Sequence, residues 1–185
     1  MNRPLTPEQL ANEAHRVVLT AIIHNADGKF LITKRAATKK KFPSLWTVPG
    51  GGLAVSDWVN QPDTFEDQHY ESIEAGLVRE VLEETGVTIK RPNYLLSISF
   101  FRDEAGDEPV VTLSYYAEYV GGEVRLDDGE NVEAAWVGFE QAKQYDLIPG
   151  ILGEIEMVDQ IVSHSKTLAE ISYNAATEQL KKPIH

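Results

Sequence analysis

The sequence contains no cysteine among its 185 residues. Disulfide bonds, zinc sites with thiolate ligands and thiol nucleophiles are therefore excluded. The chain also lacks a G-x-S-x-G sequence, which excludes one common arrangement of a serine nucleophile. No apolar run approaches the length of a membrane span, and the first residues lack the charged and then apolar pattern of a secretory signal. We therefore expect a soluble, cytoplasmic protein that does not bind membranes.

Positive charge is scarce as well. The chain has 17 lysine and arginine residues against 29 aspartate and glutamate residues, a net charge of −12. Because so acidic a surface repels phosphate backbones, we expect no general binding to nucleic acid. An anionic ligand would have to be held by a metal ion or by local cations. The apolar content of 42% is ordinary for a globular protein, and the length suits one domain.

Runs of β-branched and aromatic residues between turn residues predict five strands, at residues 16–24, 29–35, 94–102, 109–120 and 132–139. Apolar residues at helical spacing predict a C-terminal helix from about residue 151; they are Ile151, Ile155, Val158 and Val162. Near the N-terminus, Thr6 followed by Pro7 predicts a short helix over residues 6–14. Since no repeat or linker interrupts the pattern, we expect a single domain over residues 1–185.

The stretch at residues 71–87, ESIEAGLVREVLEETGV, is the most informative part of the chain. Its spacing predicts a helix with Ser72 as the N-cap and Thr85-Gly86 at the end. Ala75, Val78 and Leu82 fall on one side, which we expect to pack on a sheet. Three glutamates spaced i, i+3 and i+4 gather elsewhere on the helix. These residues, here called the acidic cluster, are Glu80, Glu83 and Glu84.

Three like charges on one side of a helix repel each other, and a divalent cation in front of them would remove the conflict. Carboxylate oxygens together with water and phosphate oxygens suit Mg²⁺. Gly76 lies one turn before Glu80 and would leave open space there. The alternative interpretation is a solvated acidic face without a ligand.

The order of residues in this stretch resembles the signature of the Nudix hydrolases, G-x5-E-x7-R-E-U-x-E-E-x-G-U, where U is aliphatic. The fixed positions from the first glutamate onward are all present, as Glu71, Arg79, Glu80, Glu83, Glu84 and Gly86. The leading glycine departs from the pattern. The nearest candidate is Gly51 in the sequence Pro49-Gly50-Gly51-Gly52, here called the glycine-rich turn, and 19 residues separate it from Glu71. The chain therefore carries an insertion of 14 residues, within the segment 53–70.

The resemblance implies an α/β/α sandwich with a mixed central sheet. It implies hydrolysis of a diphosphate bond with Mg²⁺ as the cofactor and Mn²⁺ as a substitute. The metal ligands would be the acidic cluster together with the carbonyl group of Gly50. Glu71 and Arg79 would form a structural pair, and Gly51 and Gly86 would fill structural positions of the motif.

The general base is less constrained. Glu130 stands six residues before Trp136, a spacing at which related enzymes place a further ligand or base. Glu80 is the other candidate for the base, and Glu83 completes the set of expected catalytic residues. An exposed turn glutamate is an equally good interpretation of Glu130.

For the substrate, Arg35 at the end of the second strand and Trp46 are the expected binding residues, although core packing is the more common role of a tryptophan. We expect a nucleoside diphosphate linked to a further group, with a nucleoside triphosphate preferred, either intact or oxidised or otherwise damaged, which would give a nucleoside monophosphate and pyrophosphate. The alternatives are ADP-ribose or a nucleotide sugar, or a Nudix-like sensor without catalysis. The insertion would either line the substrate cleft, pack outward or form a contact in a homodimer.

Overall fold

The computed structural model describes residues 14–59, 66, 68–102, 108–126 and 129–180. Within these residues there are eight strands, which are β1 (Arg16–His24), β2 (Phe30–Arg35), β3 (Trp46–Thr47), β4 (Gly50–Gly52), β5 (Thr88–Ile89), β6 (Asn93–Phe101), β7 (Pro109–Gly121) and β8 (Asn131–Val137). The α-helices are α1 (Ser56–Val59), α2 (Ser72–Thr85), α3 (Phe139–Ala142) and α4 (Ile151–Val162). Two 3₁₀ helices follow, at Leu168–Glu170 and Ala175–Leu180.

All eight strands belong to one sheet. Its main order is β3-β2-β1-β7-β5, while β4 pairs with β1, β6 with β7 and β8 with β2. The β1 and β7 strands run parallel over Arg16 to His24, and the other pairs are antiparallel. The sheet is therefore mixed, as predicted.

Side chains of β1 alternate between two cores because successive residues of a strand point to opposite faces. Leu19, Ala21 and Ile23 pack with α2. Ile22 packs on the other face with Leu152 and Ile155 of α4. The result is a sheet between two helical layers, the α/β/α sandwich that the sequence predicts.

The predicted core face of α2 is wrong. Val78 and Leu82 are 37% and 52% exposed, whereas Leu77 and Val81 are fully buried. The helix carries two apolar stripes, and periodicity alone does not distinguish them. Since the stripe with Leu77 faces the sheet, Glu84 is buried and Glu80 is half-buried, and Glu83 remains exposed.

The sequence predicts the end of α2 correctly but misplaces its N-cap by one residue. The helix ends at Gly86, whose positive φ of 70° favours glycine and whose N–H donates to the carbonyl of Leu82 at 2.8 Å. At the start, Ser72 is the first helical residue and not the N-cap. Its hydroxyl donates to the carbonyl of His69 at 2.8 Å.

The glycine-rich turn lies between β1 and β2, which diverge to admit it. On one side β3 pairs with β2, and on the other β4 pairs with β1, so that Thr20 is opposite Gly50. A Cβ atom on Gly50 would lie 2.1 Å from the carbonyl oxygen of Leu19, so only glycine allows this approach. The turn is thereby fixed beside α2.

The helix expected at residues 6–14 lies outside the described residues except for Ala14, which is not helical. The helix expected from about residue 151 corresponds to α4. In the part of the chain that the structure describes, no helix is both long and apolar enough to cross a membrane.

Candidate active site

Two glutamates of the acidic cluster lie against the glycine-rich turn. The Glu80 carboxylate occupies the space beside Gly51, where a Cβ atom would be 2.3 Å from Glu80 Oε2. The Gly50 N–H donates to Glu84 Oε2 at 3.0 Å. The absence of side chains in the turn is therefore what allows α2 to bring its carboxylates onto the backbone of β4.

The electrostatics of Glu80 reflect its half-buried position. Desolvation is the largest effect and raises the pKa of this carboxyl group above its ordinary value, while the bond to Arg79 acts in the opposite direction. A metal ion next to Glu80 would act in the same direction as Arg79 and favour the charged form of the carboxyl group.

Arg79 joins the acidic cluster to α1, the short helix that follows the glycine-rich turn. Its guanidinium contacts Glu80 Oε1 at 2.9 Å and Glu83 Oε2 at 2.8 Å. It also binds both carboxylate oxygens of Asp57, and its Nη2 donates to the carbonyl of Gly52 at 3.4 Å. The hydrogen bond from Arg79 is the main reason that the pKa of Asp57 lies below its ordinary value. Asp57 is thus a charged partner of Arg79, and sequence reasoning missed it.

The predicted pair between Glu71 and Arg79 does not form. Glu71 is exposed and binds Arg91 at 2.8 Å. The physical reason is the start of α2 directly after Glu71, which leaves the two residues eight positions apart along the helix, or about 12 Å along its axis.

A cation that sequence reasoning missed lies at Gly52 of the glycine-rich turn. Nη2 of Arg16 is 2.8 Å from the position of a Cβ atom on Gly52, so its guanidinium lies against the backbone of the turn. Arg16 is exposed at the first position of β1. A positive charge there would attract an anionic ligand in a protein that is otherwise strongly acidic.

Two further predicted site residues, Glu130 and Arg35, make contacts around the end of β2. Glu130 forms an ion pair with Lys39 at 2.7 Å, and its backbone carbonyl accepts from Ala36 N–H. Arg35 Nε donates to the carbonyl of Lys41 at 3.1 Å. These contacts connect the end of β2 to the two loops beside it.

Trp46 is half-buried in the core under α4. Its ring is edge-on to Tyr145, with centroids 4.8 Å apart, and Lys34 Nζ lies 5.9 Å from its centroid. The structure therefore gives Trp46 a packing role, and its predicted contact with a base remains a prediction.

The acidic cluster and the Gly50 carbonyl offer only oxygen atoms as ligands. Oxygen ligands are those that a hard divalent cation such as Mg²⁺ prefers. Within the described ranges no three acidic or histidine side chains are already placed to hold a metal ion. Glu80 and Glu83 turn towards Arg79, and Glu84 accepts from Gly50. Arg79 contacts Glu80 through Oε1 and Glu83 through Oε2, so the ion would bind the other oxygen of each carboxylate while Arg79 continues to hold the side chain.

A family model described as NUDIX domain matches residues 14–155, which include the whole sheet and the acidic helix. The chain belongs to the NUDIX domain family. The predicted family is therefore confirmed, and the mixed sheet between helices is the Nudix fold.

Individual proteins agree with this assignment. Over 117 residues the chain is 30% identical to the NAD-capped RNA hydrolase NudC of Chromobacterium violaceum, an alignment that covers 63% of this chain and 37% of NudC. The crystal structure of a MutT protein from Methanosarcina mazei Go1 matches with a TM-score of 0.60 and 25% identity, over 82% of this chain and 96% of that one. A MutT Nudix hydrolase from Burkholderia pseudomallei matches with a TM-score of 0.58 and 25% identity, over 79% and 99%. The chain spans between 23% and 37% of the length of the curated relatives it matches.

Proposed function

We propose that this Nudix domain hydrolyses a diphosphate bond in a nucleoside diphosphate linked to a further group, with Mg²⁺ as its cofactor. The observation that carries the proposal is the contact of Glu80 and Glu84 with the glycine-rich turn, since it gathers carboxylate oxygens and backbone groups at one point of the fold. No covalent nucleophile is required for this reaction, which agrees with the absence of cysteine.

Glu80, Glu83, Glu84 and the Gly50 carbonyl would hold the ion. When bound, Mg²⁺ neutralises charge on the phosphate oxygens and lowers the pKa of a coordinated water molecule. Arg79 keeps two of these carboxylates on the same side of α2. Arg16, which lies against Gly52 of the glycine-rich turn, is a candidate to attract the phosphate groups of the substrate.

Glu80 and Glu130 remain the candidates for the general base. Glu80 is half-buried with a raised pKa, and this property suits a group that accepts a proton. Glu130 is half-exposed and forms an ion pair with Lys39. A base at Glu130 would have to exchange that lysine for the attacking water molecule.

For the substrate, a damaged nucleoside triphosphate that yields a nucleoside monophosphate and pyrophosphate is the first choice, with ADP-ribose or a nucleotide sugar as the alternative. The relative named as an NAD-capped RNA hydrolase supports the general class, because an NAD cap contains a pyrophosphate between two nucleosides. A sensor without catalysis is disfavoured by the full set of motif acids.

The test is a substrate panel with identified products. Canonical and oxidised nucleoside triphosphates, ADP-ribose, nucleotide sugars, dinucleoside polyphosphates and NAD are incubated with the protein in Mg²⁺, in Mn²⁺ and in chelator. We expect metal-dependent release of a nucleoside monophosphate from at least one class, and its loss in Glu84→Gln. Nucleotide binding without turnover on any member would favour the sensor instead.

A further inference from the structure

We propose that Asp57, and not Glu71, is the carboxylate that positions the acidic cluster, and that the insertion comprises residues 58–71, after this acid. The structural part of this inference stands by itself. Its catalytic part rests on the proposed function, because it assigns Asp57 a role in placing the groups that would carry that function.

The spacing of the sequence agrees with Asp57 as the motif acid. Five residues separate Gly51 from Asp57, as in the family signature between the leading glycine and the first acid. When residues 58–71 are left out, seven residues, 72–78, remain between Asp57 and Arg79. Both spacings of the signature are then restored, with aspartate in the place of glutamate. Glu71 satisfies the second spacing only, and this explains why the motif selects it from sequence.

The contacts of Asp57 distinguish the two acids. Its side chain is 1% exposed, and its two oxygens accept from Arg79 Nε and, at 3.0 Å, from Arg79 Nη2. Oδ2 also accepts from Ala54 N–H at 2.7 Å. Two parallel hydrogen bonds from one guanidinium to a buried carboxylate fix the orientation of the guanidinium. Removing the Asp57 carboxylate would leave the charge of Arg79 without this partner.

Gly76 provides independent support. A Cβ atom at this position of α2 would lie 2.8 Å from Asp57 Oδ2 and 3.0 Å from Leu53 Cδ1. The glycine therefore accommodates the Asp57 carboxylate against the helix, which gives it a role other than the open space predicted from sequence. Glycine inside a helix costs about 1 kcal/mol relative to alanine, so its presence calls for such a contact.

The effect on the active site passes through Arg79. Asp57 binds Nε and Nη2 of the guanidinium, Nη2 also contacts Glu80, and Nη1 contacts Glu83. Asp57 is therefore a positioning residue for two expected metal ligands. Glu71, by contrast, forms a pair with Arg91 in which both side chains are largely exposed, and such pairs contribute little.

The insertion then has defined ends. It leaves the fold at Trp58, directly after the anchored acid, and it returns at Glu71, directly before α2. The rings of Trp58 and His69 lie 5.4 Å apart and connect its two sides. Both ends lie beside the N-terminal half of α2, since Asp57 contacts the helix at Gly76.

The experiment compares Asp57→Asn, Asp57→Glu and Glu71→Gln in the full chain. For each variant kcat, KM and the Mg²⁺ concentration for half-maximal rate are measured on the best substrate of the panel, and Tm is measured without substrate. We expect Asp57→Asn to lower kcat by at least about tenfold and to raise the Mg²⁺ requirement, because Arg79 would no longer be held. Asp57→Glu should recover part of this loss, and Glu71→Gln should match the wild type.

Equal losses in Asp57→Asn and Glu71→Gln would overturn the proposal, as would an unchanged kcat and Mg²⁺ requirement in Asp57→Asn. If Asp57→Asn does not fold, Gly76→Ala provides the second measurement, because the added methyl group displaces the Asp57 carboxylate without removing it. A lower kcat is expected there, and a higher Tm with full kcat would contradict the assignment. If the wild type turns over no substrate, the proposed function fails, but a larger loss of Tm in Asp57→Asn than in Glu71→Gln would still support Asp57 as the anchor.

Discussion

Arg79 changes the interpretation of the acidic cluster at the level of single residues. From sequence, three adjacent glutamates require an external cation to relieve their repulsion. In the structure Arg79 contacts Glu80 and Glu83, and the backbone N–H of Gly50 contacts Glu84, so each carboxylate already has a favourable partner. Neutral substitutions in the acidic cluster are therefore not expected to raise stability by relieving repulsion. The case for metal rests on the oxygen donors and on the family.

The first prediction concerns the metal ligands. Glu83→Gln and Glu84→Gln should each lower turnover by roughly 10²-fold while the protein remains folded, since each removes a charge that would hold Mg²⁺. Steady-state rates at saturating Mg²⁺ and circular dichroism test this. Glu133→Gln is a matched control, because Glu133 is about as exposed as Glu83 and also pairs with a cation, Lys34. Rates close to the wild type in both ligand variants would remove the metal assignment.

The second prediction concerns Glu130. If it acts as the base, Glu130→Gln should lower kcat and leave KM nearly unchanged. Lys39→Gln is the companion variant, because it removes the ion-pair partner of Glu130 and keeps the carboxylate. A pH–rate profile that is identical for Glu130→Gln and the wild type would make Glu130 a surface residue of the loop before β8.

At the level of elements, the sequence predicts regular structure well where the pattern is long. The β6 and β7 strands lie within one residue of their predicted ends, and the end of α2 at Gly86 follows from local chemistry. The short β3 and β4 strands were not predicted, because they form only when the glycine-rich turn enters between β1 and β2. The orientation of α2 was wrong for a related reason, since the sheet and not the helix selects which apolar stripe is buried.

The same limit applies to the site. Residue spacing identifies the acidic cluster and the glycine-rich turn, both of which are local motifs. Spacing alone could not select the partner of Arg79. Asp57 has the spacing of the signature to the leading glycine, and Glu71 has its spacing to the arginine. Burial decides between them, and burial is a property of the folded chain.

The third prediction concerns α4, which carries the buried carboxyl group of Glu154. Ser114 of β7 donates to it, and Glu178 and Tyr173 lie near it from the C-terminal segment. Desolvation raises the pKa of Glu154 to about 7, and the charge of Glu178 acts in the same direction. Below the unfolded-state pKa near 4.5 both states are protonated. As the pH rises from there to about 7, the unfolded state loses the proton first, and the stability contributed by this site falls.

Glu154→Gln should therefore weaken the fall in Tm between pH 4.5 and 7 and stabilise the protein at pH 8, by roughly 3 kcal/mol for the full shift. The glutamine can keep the contact with Ser114. Thermal unfolding measured from pH 4.5 to 8 tests this, with the exposed Glu140→Gln as the control. A pH dependence of Tm that is the same in Glu154→Gln and the wild type would show that Glu154 ionises normally.

At the level of the whole molecule, the insertion is the part of the chain that departs from the family signature. From sequence it was bounded at 53–70, but residues 53–57 lead into α1 and include Asp57, which pairs with Arg79. An excision designed on the earlier bounds would remove the partner of Arg79 together with the insertion. Its effect on catalysis would then say nothing about whether the insertion contacts the substrate.

The last prediction is a pair of excisions that separates these effects. Replacing residues 58–70 by a short glycine-serine turn keeps Asp57, and the same replacement with Asp57→Asn does not. If the insertion lines the cleft, the first variant should change the order of preference among the panel substrates and retain its Mg²⁺ dependence, because the acidic cluster stays anchored. The second should show a kcat lower by at least about tenfold on all of them. Sedimentation velocity measured on the same variants tests the alternative role, since an unchanged substrate order with a loss of dimers would assign the insertion to a contact between copies of the chain.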